Sequence, residues 1–302
     1  MISHLVKPLS FVALVALTAC GGGGGGGDTD GGSGGGGGGV DPTPGSNGLP
    51  FGAVGQRLPE AEGQTVTMSS ASFQVGNDPE DAPSIVPATI TVGADFFDDG
   101  GSSLNGTITI FGQTVEITNG TGNLTPDEEV VLTYEPNRTG TYAAAIEVSV
   151  SSMDGINGEA AYVFGFETDP ATIAARPGGT VTYTGDFQSF GSLGGAPNSE
   201  TEYAGGMTVG VDFTGTGNAT VALDGQVNGT QDVDMGGTIG LAGNGFAGGL
   251  TCVTGCSGTA SQIDATFYGP NADELGGVLA IDITVTGVGA YDGVGTFILP
   301  AE

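Results

Sequence analysis

Beyond about residue 50, the chain consists of short stretches in which apolar residues occupy every second position, with turn residues between them. This alternation is typical of a β-strand that buries one face. Ile263, Ala265 and Phe267 show it in one stretch, and Val209 and Val211 show it in another. The pattern predicts an all-β chain, because an amphipathic helix would need apolar residues three and four positions apart.

The C-terminal part, from Gly179 onward, contains eight strand candidates. They are Thr180–Phe187, Met207–Phe213, Ala219–Leu223, Val233–Leu241, Gly245–Cys252, Gln262–Tyr268, Val278–Val285 and Val294–Leu299. Hairpin-type turns such as Asp224-Gly225 and Asn228-Gly229 lie between or near them. Eight strands of this length suit a small closed antiparallel barrel, because closure removes the open edges. From the pattern alone, a β-sandwich remains the alternative.

The preceding part also reads as short strands between turns. Its candidates are Thr65–Met68, Ala88–Val92, Thr107–Ile110, Thr114–Ile117, Val130–Tyr134, Ala143–Val150 and Ala160–Phe166. One short helix is predicted over Asp169–Ala175, since Pro170 fits the first helical position. Arg176-Pro177-Gly178-Gly179 then ends it and marks a domain boundary.

Residues 1–20 form a targeting segment. Lys7 supplies the positive charge, Leu9 to Leu17 form the apolar stretch, and the run that ends Leu17-Thr18-Ala19-Cys20 fits a bacterial lipobox. The apolar stretch is much shorter than the ~20 residues of a transmembrane helix. Cys20 is therefore the predicted lipidation site, through which the mature protein is anchored to a membrane.

Residues 21–50 are mostly glycine, with some Asp, Ser, Thr and Pro. A segment of this composition has nothing to bury, so we predict a disordered, flexible tether. Its typical end-to-end distance is on the order of 30 Å. The folded part would therefore stand away from its anchor.

Charge and missing residue types exclude several functions. His4 and Lys7 are the chain's histidine and lysine, and both leave with the signal segment. The mature chain then has 34 acidic residues and three arginines, which gives a net charge of −31. A surface this acidic repels nucleic acid and anionic membranes, so neither is an expected partner.

The same losses bear on catalysis. A mature chain without histidine or lysine excludes a Ser-His-Asp triad, an imidazole metal site and a lysine Schiff base. Carboxylate-pair hydrolysis stays formally open, but no feature selects a pair. The acidic turn Asp95–Gly101 does not fit the twelve-residue calcium loop, and we read it as a surface turn. We therefore expect no enzyme, and neither a catalytic residue, a metal site nor a cofactor.

Cys252-Val253-Thr254-Gly255-Cys256 is the chemically distinctive segment of the folded part. In an exported protein, two cysteines beyond the lipidated one are expected to form a disulfide, here Cys252–Cys256. The competing interpretation, a redox or metal pair, is disfavoured by the spacing and by the absence of a cation nearby in sequence. The disulfide would stabilise a hairpin tip.

Near the C-terminus, the segment Phe267–Val278 reads as strand, tight turn and strand. Gly269-Pro270 ends the first strand, because proline cannot donate to a ladder. Asn271 with Glu274 is a capping-box pattern that would close one helical turn. Gly276-Gly277 would let the chain bend back into the second strand.

This segment resembles the end of the C-terminal β-barrel of the transferrin-binding protein B-like lipoproteins, which carries a Phe-Tyr-Gly-Pro-x-Ala-x-Glu-x-Gly-Gly run. The matching positions are Phe267, Tyr268, Gly269, Pro270, Ala272, Glu274, Gly276 and Gly277. A second match, Phe164–Pro170 with Pro177–Gly185, resembles the family's passage from its handle domain into the first barrel strand.

The resemblance implies a division of the chain and a function. The expected domains are a lipoprotein signal peptide (1–20), a Gly-rich tether (21–50), a β-rich handle-like domain (51–177) and a transferrin-binding protein B-like eight-stranded barrel (178–302). The implied protein is an outer-membrane, surface-exposed lipoprotein that captures a solute, a haem-type ligand or a protein partner outside the cell. The alternative is a structural or adhesion lipoprotein without a small ligand, using its acidic surface with Ca²⁺ to bridge cell-surface components.

No ligand-binding residue can be transferred from the resemblance, because the matching motifs are structural. Haem would need an axial ligand other than histidine. Tyr203, in a predicted loop over Gly191–Gly206, is the candidate for that role. The ligand-binding residues are otherwise unknown from the sequence.

Overall fold

Two antiparallel sheets account for nearly all of the described backbone in the computed structural model. The described strands belong to one unit, Val40–Glu302. The lipobox cysteine Cys20 and the tether 21–50 lie outside the described residues. The structure describes residues 65–75, 81–85, 88–97, 104–110, 113–118, 121–125, 128–134, 140–152, 157–194, 201–215, 217–258 and 260–302.

The first sheet contains nine strands. They are β1 Thr65–Val75, β2 Asp81–Ile85, β3 Ala88–Phe97, β4 Leu104–Ile110, β5 Gln113–Ile117, β6 Thr121–Thr125, β7 Glu128–Tyr134, β8 Ala143–Ser152 and β9 Asn157–Gly165. Their order is β5-β4-β3-β1-β9-β8-β7-β6, with β2 paired to β1. All seven predicted strands are present. The two missed strands, β2 and β6, are five residues each and lack apolar alternation, because β2 contains Pro83 and β6 is mostly polar.

A short helix, α1 (Pro170–Ala175), connects the two sheets. Asp169 is its N-cap, and its carboxylate accepts from the Ala171 backbone N–H at 2.7 Å. The predicted helix is therefore confirmed, with Pro170 in its first turn, where a missing N–H costs nothing. No helix among the described residues is long and apolar enough to span a membrane.

The second sheet contains ten segments. They are β10 Thr180–Leu193, β11 Thr201–Asp212, β12 Asn218–Val227, β13 Gln231–Gly240, β14 Gly245–Gly249, β15 Thr251–Thr254, β16 Cys256–Ser257, β17 Gln262–Tyr268, β18 Glu274–Val285 and β19 Gly289–Pro300. Their order is β14-β17-β18-β19-β10-β11-β12-β13-β15, with β16 paired to β18.

The two ends of this sheet belong to one interrupted strand. β14 pairs with β17 and β15 pairs with β13, and Leu250 is the residue between them. Counted as one strand, β14 and β15 join β13 to β17 and bring the sheet round to a nearly closed barrel of eight strands. The prediction of an all-β chain with a C-terminal eight-stranded antiparallel barrel is confirmed.

Aromatic side chains fill the interior of the barrel. Along β12, buried and exposed residues alternate without exception, as the sequence pattern predicted. The ring centroids of Phe187 and Tyr203 are 4.8 Å apart, those of Tyr203 and Tyr291 6.1 Å, and those of Tyr183 and Phe267 5.8 Å. Such tilted and edge-to-face contacts are the favoured geometries for aromatic pairs.

The outer face of β18 is buried as well, because the first sheet packs against it. Val278 and Ala280 on β18 contact a cluster that includes Ala143, Ala161 and Val163 of the first sheet. Leu279 and Ile281, which alternate with these two residues along β18, face the other side and belong to the barrel core. β18 is therefore covered on both sides, and its run of small and aliphatic residues suits that position.

Two of the glycine-containing turns predicted from the sequence lie within strands in the structure. Asp224-Gly225 lies inside β12, and the hairpin turn follows at 228–230, where Asn228 and Gly229 have φ of 53° and 62°. Gly225 is required because a Cβ there would lie 2.8 Å from the rings of Phe187 and Tyr203. It makes room for an aromatic pair and does not turn the chain.

The Phe267–Val278 segment needs two similar corrections. Gly276-Gly277 lies within β18, which already begins at Glu274, and a Cβ on Gly277 would lie 2.6 Å from Phe297. The capping box predicted for Asn271 and Glu274 does not form, because no helical turn follows Asn271.

Candidate functional site at the distal end of the barrel

Three connections that the structure describes lie at the end of the barrel opposite to helix α1, which we call the distal end. They are the β12–β13 turn (228–230), the loop segment Cys252–Ser257 and the β18–β19 turn (286–288). Because consecutive strands are antiparallel, alternate connections must lie at the same end of the barrel. The Gly255 carbonyl accepts from the Thr286 N–H at 2.9 Å, which ties two of these connections together directly.

The disulfide Cys252–Cys256 holds this loop segment. The segment is not the predicted hairpin tip, because β15 pairs with β13 and β16 pairs with β18. Gly255 has a φ of 75° and lies against β13, where a Cβ would lie 1.9 Å from the Asp232 carbonyl. Only glycine fits this position. β16 continues from Cys256 and pairs with the end of β18, so the loop segment is attached to the barrel on both sides.

Val253 is placed on the surface by a β-bulge. Asp234 pairs with Thr254 and Met235 pairs with Cys252, so the ladder skips Val253. A bulge commonly redirects one side chain in this way. Val253 is 69% exposed, and Val288 in the neighbouring connection is 43% exposed. They are the exposed large hydrophobic residues of the described part of the chain.

Acidic side chains lie near Val253 on the outer face. Asp224 of β12 lies directly opposite Asp234 of β13. The next pair along is Gln226 and Asp232, whose side chains form a hydrogen bond of 2.8 Å, donated by the Gln226 amide. Uncompensated like charges at directly opposed positions destabilise a sheet.

Arg176, the cation among the described residues, lies at the other end of the barrel. Its guanidinium sits 4.7 Å from the centre of the Phe213 ring and donates to the Tyr183 hydroxyl at 3.3 Å. That hydroxyl donates in turn to the Ala272 carbonyl at 2.9 Å. Burial raises the pKa of Tyr183, so the phenol stays protonated and can donate. Arg176 closes the proximal end and does not neutralise the distal carboxylates.

Tyr203 is a buried core residue, which corrects its assignment as an exposed axial-ligand candidate. It lies in β11 with no exposed surface, and its hydroxyl donates to the Val233 carbonyl at 3.0 Å. β10 runs on to Leu193, so the predicted loop over Gly191–Gly206 is mostly strand. Gly191 is needed for close strand approach, since a Cβ there would lie 2.0 Å from the Asp292 carbonyl.

Tyr291 is a second phenol enclosed in the barrel. Its hydroxyl and Ser189 Oγ are 3.0 Å apart, and both residues are fully buried. Burial is the largest cause of the raised pKa of Tyr291 and of Tyr203. Neither oxygen is available to a ligand from outside.

The described residues contain no group of three or more His, Cys, Asp or Glu side chains arranged to hold a metal ion. The acidic turn Asp95–Gly101 is only partly described, since its residues from Asp98 onward lie outside the described ranges. The predicted lipidation site Cys20 likewise lies outside them. The structure brings the two other predicted cysteines, Cys252 and Cys256, into the distal end.

Val253 is not among the site residues predicted from the sequence. Its signal was an apolar residue among the three residues between two cysteines, where a polar turn residue is usual. Alternation along a strand could not reveal it, because the bulge takes this residue out of the alternating pattern.

Comparison with known proteins gives a family match for the barrel. Residues 176–294 match the family described as C-lobe and N-lobe beta barrels of Tf-binding protein B. This confirms the family resemblance read from the sequence. No match was found among the curated proteins.

Solved structures were found over a larger part of the chain. Transferrin Binding Protein B of Haemophilus parasuis, a single-residue mutant, is 16% identical, with a TM-score of 0.45, covering 78% of this chain and 44% of its own. The protein from serogroup B Neisseria meningitidis is 15% identical, with a TM-score of 0.42, covering 78% of this chain and 43% of its own. The chain thus spans less than half the length of these structures.

Proposed function

The chain carries a β-barrel of the transferrin-binding protein B-like family, and from this premise we propose that it is a lipid-anchored surface module that captures a protein partner at its distal end. The relatives are named for the protein they bind, transferrin. For this chain we propose the coarser function, capture of a protein, with the partner's contacts made by residues of the distal end.

The observation that carries the proposal is the pair of exposed valines in a rigid setting. Val253 and Val288 lie on connections that a disulfide and a main-chain hydrogen bond hold in place. Protein-binding surfaces use apolar side chains with a polar surround, and a rigid surface loses less conformational entropy on binding. Aromatic side chains fill the barrel interior, so the proposed contacts are on the outer surface.

The N-terminal segments support presentation at a membrane. The lipobox ending at Cys20 favours an acylated anchor, and the Gly-rich residues 21–50 favour a flexible tether. A reach on the order of 30 Å would let the barrel sample the space above the anchor. We therefore place the protein at the outer membrane, with its barrel on the cell surface.

Site-specific photo-crosslinking on intact cells tests this function. A benzophenone amino acid replaces Val288 at the distal end, or Thr214 in the β11–β12 connection at the opposite end as a matched control. The expected result is a discrete protein adduct from position 288 that is absent from position 214. Equal labelling at both ends, or no adduct from position 288, would overturn the proposal.

A further inference from the structure

A groove runs across the outer face of β12, β13 and β15, beginning at Val253. Its volume is about 510 Å³. The side chains that line it include Thr220, Ala222, Asp224, Asp234, Thr251 and Val253.

The floor of this groove includes Gly236 of β13, which lies on the outer face. A Cβ on Gly236 would lie 2.8 Å from the Val221 carbonyl. This position therefore excludes larger residues without movement of the backbone. Val253 Cγ2 stands 3.9 Å from the same Gly236 position and forms one wall.

The wall formed by Val253 is held in position. The bulge turns this side chain outward, and the disulfide fixes its preceding neighbour Cys252. Leaving a valine 69% exposed forgoes the hydrophobic stabilisation that its burial would give. A ligand that covers Val253 would gain that stabilisation.

Charge identifies the kind of ligand. Asp224 and Asp234, at the end of the groove nearest the distal turns, lie directly opposite each other on neighbouring strands. Their repulsion is relieved when a cation lies between them or beside them. The cation of the described residues, Arg176, is engaged at the proximal end of the barrel.

We infer that this groove binds an extended segment of the partner protein in which a lysine or arginine lies next to an apolar side chain. The apolar side chain packs on Val253 over Gly236, and the cation lies at Asp224 and Asp234. The bare glycine lets an extended backbone approach closely, since no side chain stands in the way. The inference rests on the proposed capture of a protein and adds the site and the chemistry of the captured segment.

The test uses the full-length protein and a defined probe. Lys-Val-Lys-Val-Lys-amide with fluorescein on its N-terminal amine is titrated by fluorescence anisotropy, and the same N-terminally labelled peptide with glutamate in place of each lysine serves as the charge control. We expect Val253→Ser, and separately the double change Asp224→Asn with Asp234→Asn, each to weaken binding about tenfold or more. Val253→Ile, which keeps the apolar wall, and Asp186→Asn, an exposed carboxylate of β10 outside the groove, should bind as the unaltered protein does.

Three results would overturn the inference: no binding of the lysine peptide, equal binding of the glutamate peptide, or affinities that the groove variants leave unchanged. The crosslinking experiment reads the capture function separately. If adducts form at position 288 while the groove variants bind the peptide with unchanged affinity, the capture function is supported and the groove assignment is wrong. If the peptide depends on the groove but no adduct forms on cells, the groove remains a binding site and the capture function falls.

Discussion

At the scale of single residues, Glu274 joins the two sheets. This carboxylate, only 6% exposed, belongs to the family-type motif near the C-terminus. It accepts backbone N–H donors from Thr141, from Tyr142 at 2.9 Å and from Ala143 at 3.1 Å, all on the chain entering β8. A Cβ on Gly140 would lie 2.3 Å from a carboxylate oxygen of Glu274, so a larger residue at position 140 would clash with Glu274.

Glu274→Gln should destabilise the protein by about 1.5–3 kcal/mol, the range for hydrogen bonds to a charged group. The glutamine amide keeps one acceptor oxygen, but its NH₂ group would face backbone N–H donors from the chain entering β8. Because NH₂ is itself a donor, it cannot accept from them. Denaturant unfolding measures the change, with the exposed Glu116→Gln as a control expected to stay within about 0.5 kcal/mol. Equal stability of the two variants would remove Glu274 as the connection between the sheets.

The buried phenols predict a loss of stability at high pH. Burial raises the pKa of Tyr291 above its ordinary value of 10.0, whereas an unfolded tyrosine titrates near pH 10. Above that pH the unfolded state therefore binds fewer protons than the folded state, so the free energy of unfolding falls as pH rises. Below pH 10 the contribution of this group is fully present.

Tyr291→Phe removes a phenol that stays protonated in the folded state and loses its proton in the unfolded state above pH 10. The slope of unfolding free energy against pH above pH 10 should become shallower by up to about 1.4 kcal/mol per pH unit. Urea unfolding at several alkaline pH values gives this slope, which is independent of any constant loss from the missing Ser189 contact. An unchanged slope would show that Tyr291 titrates normally in the folded protein.

At the scale of the strands, glycines serve two different purposes that their sequence neighbours do not distinguish. Gly225 in β12 lies under Phe187 and Tyr203, and a Cβ there would also lie 2.8 Å from the Ala204 carbonyl. Gly206 in β11 faces open space, with nothing within 4 Å of the corresponding Cβ, and its φ is not positive.

Alanine at these two positions should therefore act in opposite directions. Gly225→Ala should cost about 1–3 kcal/mol, because the aromatic pair or the backbone must move. Gly206→Ala should raise stability by about 0.4–1 kcal/mol, because it restricts the unfolded chain without a clash. Thermal unfolding compares the two variants, and destabilisation by both would contradict the description of β11 as open at Gly206.

The disulfide acts on one segment, the loop between β15 and β16. Closing so short a loop stabilises by about 2 kcal/mol on the chain-entropy model. The double change Cys252→Ser with Cys256→Ser should therefore leave the barrel folded and raise amide hydrogen exchange in residues 251–257. Faster exchange throughout the barrel strands would instead mean that the disulfide supports the whole barrel.

At the scale of the whole molecule, the chain combines an acidic barrel with a proposed anchor at the far end of a tether. A protein with a formal net charge of −30 gains solubility and long-range attraction for cationic partners. The same charge opposes contact with anionic lipid surfaces. Retention at a membrane would then depend on the anchor alone.

Cys20→Ala should move the protein from the membrane fraction to the soluble fraction. Acyl chains on Cys20 supply the proposed membrane affinity, and the acidic surface is repelled by anionic lipids. Fractionation with immunoblotting measures the shift, and Cys252→Ser with Cys256→Ser controls for the loss of cysteine residues elsewhere in the chain. A Cys20→Ala protein that stays in the membrane fraction would contradict the proposed anchor.

The sequence by itself determined the all-β class, the eight barrel strands and helix α1. Each of these depends on local information: the period of two along β12, or Asp169 and Pro170 at a helix start. The family resemblance also rests on a local motif, whose glycines and Glu274 the structure shows to be packing and hydrogen-bonding positions.

The tertiary structure alone decided what the glycines, Glu274 and Val253 do. Whether Gly225 turns the chain or lies under two rings depends on residues of other strands, and the partners of Glu274 are more than 130 positions away. The exposure of Val253 comes from a register shift between β13 and β15, which no single segment encodes. Local patterns specify strands, whereas contacts distant in sequence specify which residues remain free to bind.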